Sequence, residues 1–360
     1  MRTHSLDITR GSVDRVRPGL RWHYGKPTLI LLVLLRFAAG NTIAQDIHFT
    51  QFFNTPLALG PGTIGAFNGD QRISGVFRQQ WRSVTTPYRT FGIGGDLAHA
   101  ASVKGLGLGA WLYNDRAGDS RLNRFHFSLG GSWTLRPGGA TEHALTVGIQ
   151  AGITSISLND GGLSFDAQYN GFSFDPQLSS GENFARDGLV HPDVHLGAVY
   201  RYEPSPRKLL QLGVSLFNLT SPRIGFLGGP GEPLDGRTSV HVITSFPLTS
   251  DLDLRPMAQY MTQGTFQEVA LGANLRYILL HRYGLERAVI AGLHYRAADA
   301  GSVYAGMEYD DWTLGISYDI NTSDLVPASR NRGGIELTVL RILRKRPALP
   351  VQFKACPEQL

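Results

Sequence analysis

Apolar and polar residues alternate through the stretch from Leu106 to Leu135. In its second half Phe125, Phe127, Leu129, Gly131, Trp133 and Leu135 fall on one side of an extended backbone. Arg124, His126, Ser128, Gly130, Ser132, Thr134 and Arg136 fall on the other. Side chains of a strand point alternately to its two faces, so the segment predicts a strand with one apolar and one polar face. It is longer than the roughly five or six residues usual in globular sheets. A tilted strand of about ten residues is what a hydrocarbon layer about 30 Å thick requires. The pattern recurs down the chain and predicts about fourteen strands, at residues 71–82, 88–99, 105–113, 122–136, 143–158, 190–202, 209–217, 238–248, 252–262, 266–278, 288–296, 302–309, 312–320 and 334–343. An even number of long two-faced strands predicts an all-β fold, a transmembrane antiparallel up-and-down β-barrel with apolar side chains toward lipid.

Aromatic placement and loop length carry the membrane reading further than alternation alone, which a soluble sandwich shares. Trp81, Tyr88, Trp111, Tyr113, Tyr200, Tyr202, Tyr309 and Trp312 sit near predicted strand ends, where interfacial girdles belong. Connections after odd-numbered strands include long ones (114–121, 159–189, 218–237, 321–333), whereas those after even-numbered strands are tight (137–141, 203–208, 249–251, 310–311). Barrels keep short turns in the periplasm and long loops outside, so both termini are expected on the periplasmic side.

Composition supports this picture: 43 Gly, 10% aromatic and only 18% charged residues suit a β-rich chain with many turns. The formal charge of +5 is a property of the first 44 residues, which hold seven Lys/Arg against two acids; the remainder has 27 of each sign. A neutral body removes the basic-patch argument for nucleic acid. Residues 1–44 read as a secretory signal peptide: a long basic region to Lys26, an apolar run from Leu29 to Leu35, and Thr42-Ile43-Ala44 before Gln45. The run is too short to span a bilayer and is interrupted by Arg36. The remaining organisation is a periplasmic N-terminal arm at 45–69, the barrel at 70–343, and a basic periplasmic tail at 344–360 carrying Arg344, Lys345 and Arg346. The lone Cys356 belongs to no metal or redox pattern.

Catalytic and metal chemistry finds little support. Gly92–Gly95 and Gly105–Gly109 are glycine-rich, but a strand continues where a phosphate loop needs a helix N-terminus. His191, Asp193 and His195 share one strand face and form a conceivable metal site, spaced about 6.6–7 Å between alternate positions; lumen-facing polar residues explain them better. Ser239 with His241 is a conceivable hydrolase pair, without a nucleophile elbow. No catalytic residue, cofactor or metal is assigned. Loop 159–189 displays Phe165, Tyr169, Phe172, Phe174 and Phe184 among polar residues, either as a partner-binding surface or folded inward as a cap on the lumen. Arg344, Lys345 and Arg346 are a candidate contact for headgroups or a periplasmic partner.

Six short motifs in order resemble the PorP/SprF family of Bacteroidota outer-membrane proteins. They are Gln45-Asp46-Ile47-His48-Phe49-Thr50-Gln51-Phe52; Asn54-Thr55-Pro56-Leu57 with Gly60-Pro61-Gly62; Phe77-Arg78-Gln79-Gln80-Trp81; Gly105-Leu106-Gly107-Leu108 with Asn114-Asp115-Arg116-Ala117-Gly118; Tyr318-Asp319 with Thr322-Ser323-Asp324-Leu325 and Gly334-Ile335-Glu336; and Cys356-Pro357. Gly60, Gly62, Gln79 and an added Thr55 depart from the family pattern. The resemblance implies a non-enzymatic accessory of type IX secretion and gliding motility, placed in outer-membrane lipid. It would help particular cargo reach or stay on the surface beside the translocon and periplasmic partners. The alternative is a transporter barrel for small hydrophobic solutes with residues 45–69 as its plug; an outer-membrane hydrolase is a third reading.

Overall fold

A computed structural model describes residues 47–80, 86–118, 122–139, 141–159, 163–227, 229–282, 285–323 and 326–344. The expected leader, Gln45, Asp46, Trp81, Lys345, Arg346 and Cys356 lie outside the described residues. Fourteen strands among the described residues close into one barrel. They are β1 (Gln71–Gln80), β2 (Tyr88–Leu97), β3 (Leu106–Ala117), β4 (Leu122–Leu135), β5 (His143–Ser157), β6 (Gly188–Ser205), β7 (Lys208–Phe217), β8 (Arg237–Pro247), β9 (Leu252–Gln263), β10 (Phe266–Arg282), β11 (Leu285–Arg296), β12 (Ala300–Tyr309), β13 (Trp312–Asn321) and β14 (Arg332–Leu343). Sequence neighbours pair antiparallel, and Gln71 to Gln79 of β1 pair with Leu343 to Ile335 of β14 to close the wall. Closure leaves the barrel wall, among the described residues, no open strand edge, the condition for lying in hydrocarbon.

Each strand matches a predicted one, with ends displaced by a few residues: β2 stops at Leu97, short of the expected 99, while others run on where pairing outlasts alternation. β3 continues past Tyr113 to Ala117 because Asp115 and Arg116 pair with Arg124 and Asn123 of β4. Burial is inverted relative to a soluble protein. Phe125, Phe127, Leu129, Trp133 and Leu135 are exposed on the outer face, while Arg72, Ser74, Arg78, Asp96, His126 and Ser128 are buried on the inner one. At the rim where β1 begins and β14 ends, Arg341 lies over the Trp312 ring at 4.6 Å and Arg287 over Tyr309 at 4.2 Å. Aromatic rings with cationic tips suit a membrane interface. Trp111 and Tyr113 are corrections to the girdle: Trp111 is buried in the lumen, and Tyr113 stacks on His126. The wall there must pack against an object inside the barrel.

That object is the N-terminal segment. Residues 47–69, expected as an arm in the periplasm, run inside the cylinder. The segment begins near the rim bearing the long connections, where Thr50 meets Asp319, and returns to the terminal rim, where Asp70 N–H donates to the Leu343 carbonyl at 2.8 Å. Three single turns (Phe52–Asn54, Pro56–Leu59, Pro61–Thr63) shorten its path. The apolar clusters lie between this plug and the wall: Phe49, Leu57 and Ile64 with Val76 and Trp111, and Phe52 and Leu59 with Met257. Loop lengths sort by rim only in part, since the turns at 264–265 and 297–299 are tight although they follow odd-numbered strands. Gly264 and Ala298 take left-handed conformations there, which reverse the chain in two or three residues.

Candidate functional site

The lumen is organised around the point where the plug meets the barrel seam. Glu336 accepts the backbone N–H groups of Thr50 and Gln51 at 2.9 and 2.7 Å and an Arg78 guanidinium N–H at 2.6 Å. Arg78 also donates to Asp319 at 2.9 Å, and Asp319 accepts from Arg296 at 3.2 Å, from Thr50 Oγ1 at 2.9 Å and from Ser302 Oγ at 2.7 Å. Gln51 Nε2 donates to Ser317 Oγ and to the Glu336 carbonyl, while its Oε1 accepts from Thr338 at 2.6 Å. Arg296 pairs further with Asp299. Charges buried out of water are tolerated when paired and hydrogen-bonded, and these carboxylates are both.

Further along, Gly60 lets the plug lie close against the Ser215 side chain of β7, and Gly62 against the Ala198 backbone of β6. Gly60 has φ +138, a conformation side-chain-bearing residues rarely adopt. A Cβ on Gly148 of β5 would stand 2.2 Å from the Pro61 carbonyl oxygen, and one on Gly62 would stand 2.8 Å from the Ala198 Cα of β6. At the terminal rim Arg72 holds both oxygens of Asp96 at 2.9 and 2.8 Å and the Thr63 carbonyl at 2.7 Å. Asp96 also accepts Gly65 N–H at 2.7 Å, and Ser132 donates to the Ile64 carbonyl at 2.6 Å. The plug is thus fastened at both ends and fitted in the middle. A second charged centre, away from the plug, has Arg276 donating to Asp253 at 2.9 Å and Glu308 at 2.6 Å and paired with Glu286.

His191, Asp193 and His195 do share the lumen face, and all three are buried. Asp193 draws His191 Nδ1 to 3.1 Å, His126 Nδ1 to 3.5 Å and the Thr154 hydroxyl. His195 Nδ1 instead accepts the backbone N–H of Asn218 at 3.1 Å. Among the described residues no three His, Cys, Asp or Glu side chains are arranged to hold a metal ion. Ser239 and His241 are both buried, but Ser239 accepts from Gln259 and His241 pairs with Gln211. The cavity beside this region, lined by Ile47, Phe49, Leu57, Trp111, His126 and Asp193 among others, is about 50 Å³.

On the loop rim, Tyr169, Phe172 and Phe174 are exposed and Phe165 is half-buried against Phe184, with ring centroids 6.2 Å apart. The three exposed rings therefore do not cap the lumen. Arg344 donates to the Asn68 carbonyl at 2.9 Å, joining the start of the basic tail to the end of the plug. Sequence reasoning singled out Arg78, Asp319 and Glu336 only as parts of motifs, and passed over Arg72, Asp96 and Arg276. The available signal was a charge in the inward register of a membrane strand, a position that demands a partner.

No curated protein matches the sequence. Solved structures of similar architecture include the Ralstonia pickettii toluene transporter TbuX, at 12% identity and TM-score 0.46, covering 85% of this chain and 97% of that one. The CymD monoaromatic hydrocarbon channel is similar at 12% identity and TM-score 0.47, covering 87% and 97%. BamA of Haemophilus ducreyi lacking POTRA domains 1–3 gives 10% identity and TM-score 0.39, covering 91% and 80%. Likeness this distant says nothing about what the chain does. The family model described as type IX secretion system membrane protein PorP/SprF, in contrast, matches residues 41–340. Within that span Gln51, Arg78, Asp319 and Glu336, drawn from three separate sequence motifs, meet at one point in the lumen; on the strength of the match over most of its length, the chain belongs to the PorP/SprF family of type IX secretion system membrane proteins.

Proposed function

We propose that this barrel is a non-enzymatic accessory that brings particular cargo proteins to the cell surface or keeps them there. In this reading the long connections face outward and contact cargo, while the opposite rim faces the periplasm, where the basic tail from Arg344 to Arg346 meets the secretion machinery. The observation that carries it is the filled lumen: a plug bonded to the wall at both ends leaves the rims as the working surfaces. Gln71 and Leu343 pair at one rim, so the first strand of the wall begins and the last one ends on the same side.

The alternative, a conduit for small hydrophobic solutes, needs the plug to move. A cavity of about 150 Å³ admits benzene, and the space beside His126 is about one third of that. The test is a deletion strain whose surface proteome is compared with its parent by protease shaving. Loss of one or a few surface proteins, with their accumulation inside the cell, supports the accessory reading. Unchanged display of every surface protein, together with uptake of a toluene probe by vesicles holding the purified barrel, would replace it with the conduit.

A further inference from the structure

The longest connection, between β5 and β6, is folded over residues 163–187 around the display of one ring. Tyr169 and Phe174 form an isolated antiparallel bridge, and Asn170 Oδ1 accepts the backbone N–H groups of both Phe172 and Ser173 at 3.0 Å. Gly171, at φ +94, supplies the left-handed backbone at the tip. Beneath the turn, Gln168 accepts Asp175 N–H on its carbonyl at 2.8 Å and donates its side-chain amide to the Leu178 carbonyl at 3.2 Å. The loop is then tied to its neighbour on the rim: Ala185 N–H donates to the Phe226 carbonyl at 2.9 Å, and Phe184 bridges Leu227. Phe172 is 95% exposed, and Tyr169, Phe174, Leu178 and Leu227 on this rim are exposed as well.

A loop that only connected two strands would not hold a phenyl ring in water on an ordered turn, because exposing apolar area is unfavourable and ordering the turn costs entropy. An ordered aromatic on a polar loop is instead the form of a preorganised interface anchor. The charge of the loop selects the partner. Residues 158–187 contain five acids (Asp160, Asp166, Asp175, Glu182, Asp187) and one base, Arg186, although the body of the chain is neutral. Asp166, Glu182 and Asp187 are exposed. Carboxylates and accessible aromatic faces on one loop both attract ammonium and guanidinium groups, the acids by ion pairing and the rings by cation–π contact.

We infer that this loop is a docking surface for a basic, Lys- and Arg-bearing segment of a cargo protein, with Phe172 as its apolar anchor. The inference rests on the accessory reading above and adds the chemistry of the partner. It is tested on the surface protein that the deletion strain fails to display, purified and titrated against the full-length barrel in lipid nanodiscs. Phe172→Ala is expected to weaken binding about tenfold. The triple neutral variant Asp166→Asn, Glu182→Gln, Asp187→Asn is expected to weaken it comparably and to flatten its salt dependence. Both variants should keep the heat-modifiable mobility of the folded barrel. Binding within twofold of the parent for both variants overturns the inference, as does tighter binding on neutralisation, which would mark an acidic partner. If the parent barrel binds the cargo and both variants restore its display completely, the docking surface is wrong while the accessory role stands. If no protein leaves the surface on deletion, both fall together.

Discussion

Arg78 and Glu336 stand opposite each other where the first and last strands pair, 2.6 Å apart and almost wholly buried. The pair closes the barrel and, through the second Glu336 oxygen on Gln51 N–H, fixes the plug. Wall closure and plug seating therefore share one set of bonds.

Replacing Arg78 by Ala leaves Glu336 without its cation and Asp319 with Arg296 alone. Breaking a buried pair from one side costs about 3–5 kcal/mol. Arg78→Lys should cost less but remain damaging, because one ammonium cannot reproduce the fork that reaches both carboxylates. Urea unfolding of refolded protein in vesicles measures the difference. A loss under about 1 kcal/mol for Arg78→Ala would mean that water in the lumen satisfies these charges.

The seat of the plug can be separated from the wall by two glycines. A Cβ on Gly148 meets the Pro61 carbonyl at 2.2 Å, whereas one on Gly131, on the lipid side, finds nothing nearer than 3.8 Å. Gly148→Ala should displace the plug and Gly131→Ala should not. With Cys356 changed to Ser and a cysteine placed at buried Leu57, a maleimide should label the Gly148→Ala protein faster than its parent. Equal labelling of the two glycine variants would show that the plug is not held by this fit.

Ile149 lies mid-strand in β5 and is 52% exposed, next to the buried lumen residue Gln150. If its face meets hydrocarbon, Ile149→Arg should destabilise the protein by about 2–4 kcal/mol in a bilayer, with smaller effects nearer the interfaces. Folding titrations in phosphatidylcholine vesicles give the value. A cost near zero would place this face in water.

Arg276 shares its charge among Asp253, Glu308 and Glu286, while Arg207 and Arg255 stand by as second cations for Asp253 and Glu308 at 2.7 and 2.8 Å. Arg276→Met should destabilise, and adding Glu308→Gln should recover part of the loss. Residues in one network couple by about 0.5–3 kcal/mol. A double-mutant cycle with no coupling would mean that the neighbouring arginines suffice.

The strands were legible in the sequence because alternation is local: Phe125 to Leu135 can be assigned to one face without knowing what lies beyond it. Lipid enforces the pattern uniformly, since an unpaired backbone or a charge on the outer face has no water to turn to. The count of fourteen followed from the same local reading, and the sorting of loop lengths by rim followed only in part. Trp111 was misplaced for a corresponding reason: a ring near a strand end serves equally as an interfacial anchor or as wall packing, and only the neighbour tells them apart.

By itself, then, the sequence determined a two-faced, fourteen-strand wall and, through its motifs, a family. Only the tertiary structure decided that residues 47–69 fill that wall, that Arg78 finds Glu336 across 258 positions, and that Phe172 stands in the open while its loop neighbours are bonded beneath it. The inside of a barrel is bounded by all strands at once, so no short stretch of sequence contains the information about which polar groups meet there. Those partners are settled when closure sets every strand's register and the buried charges are left with only one another.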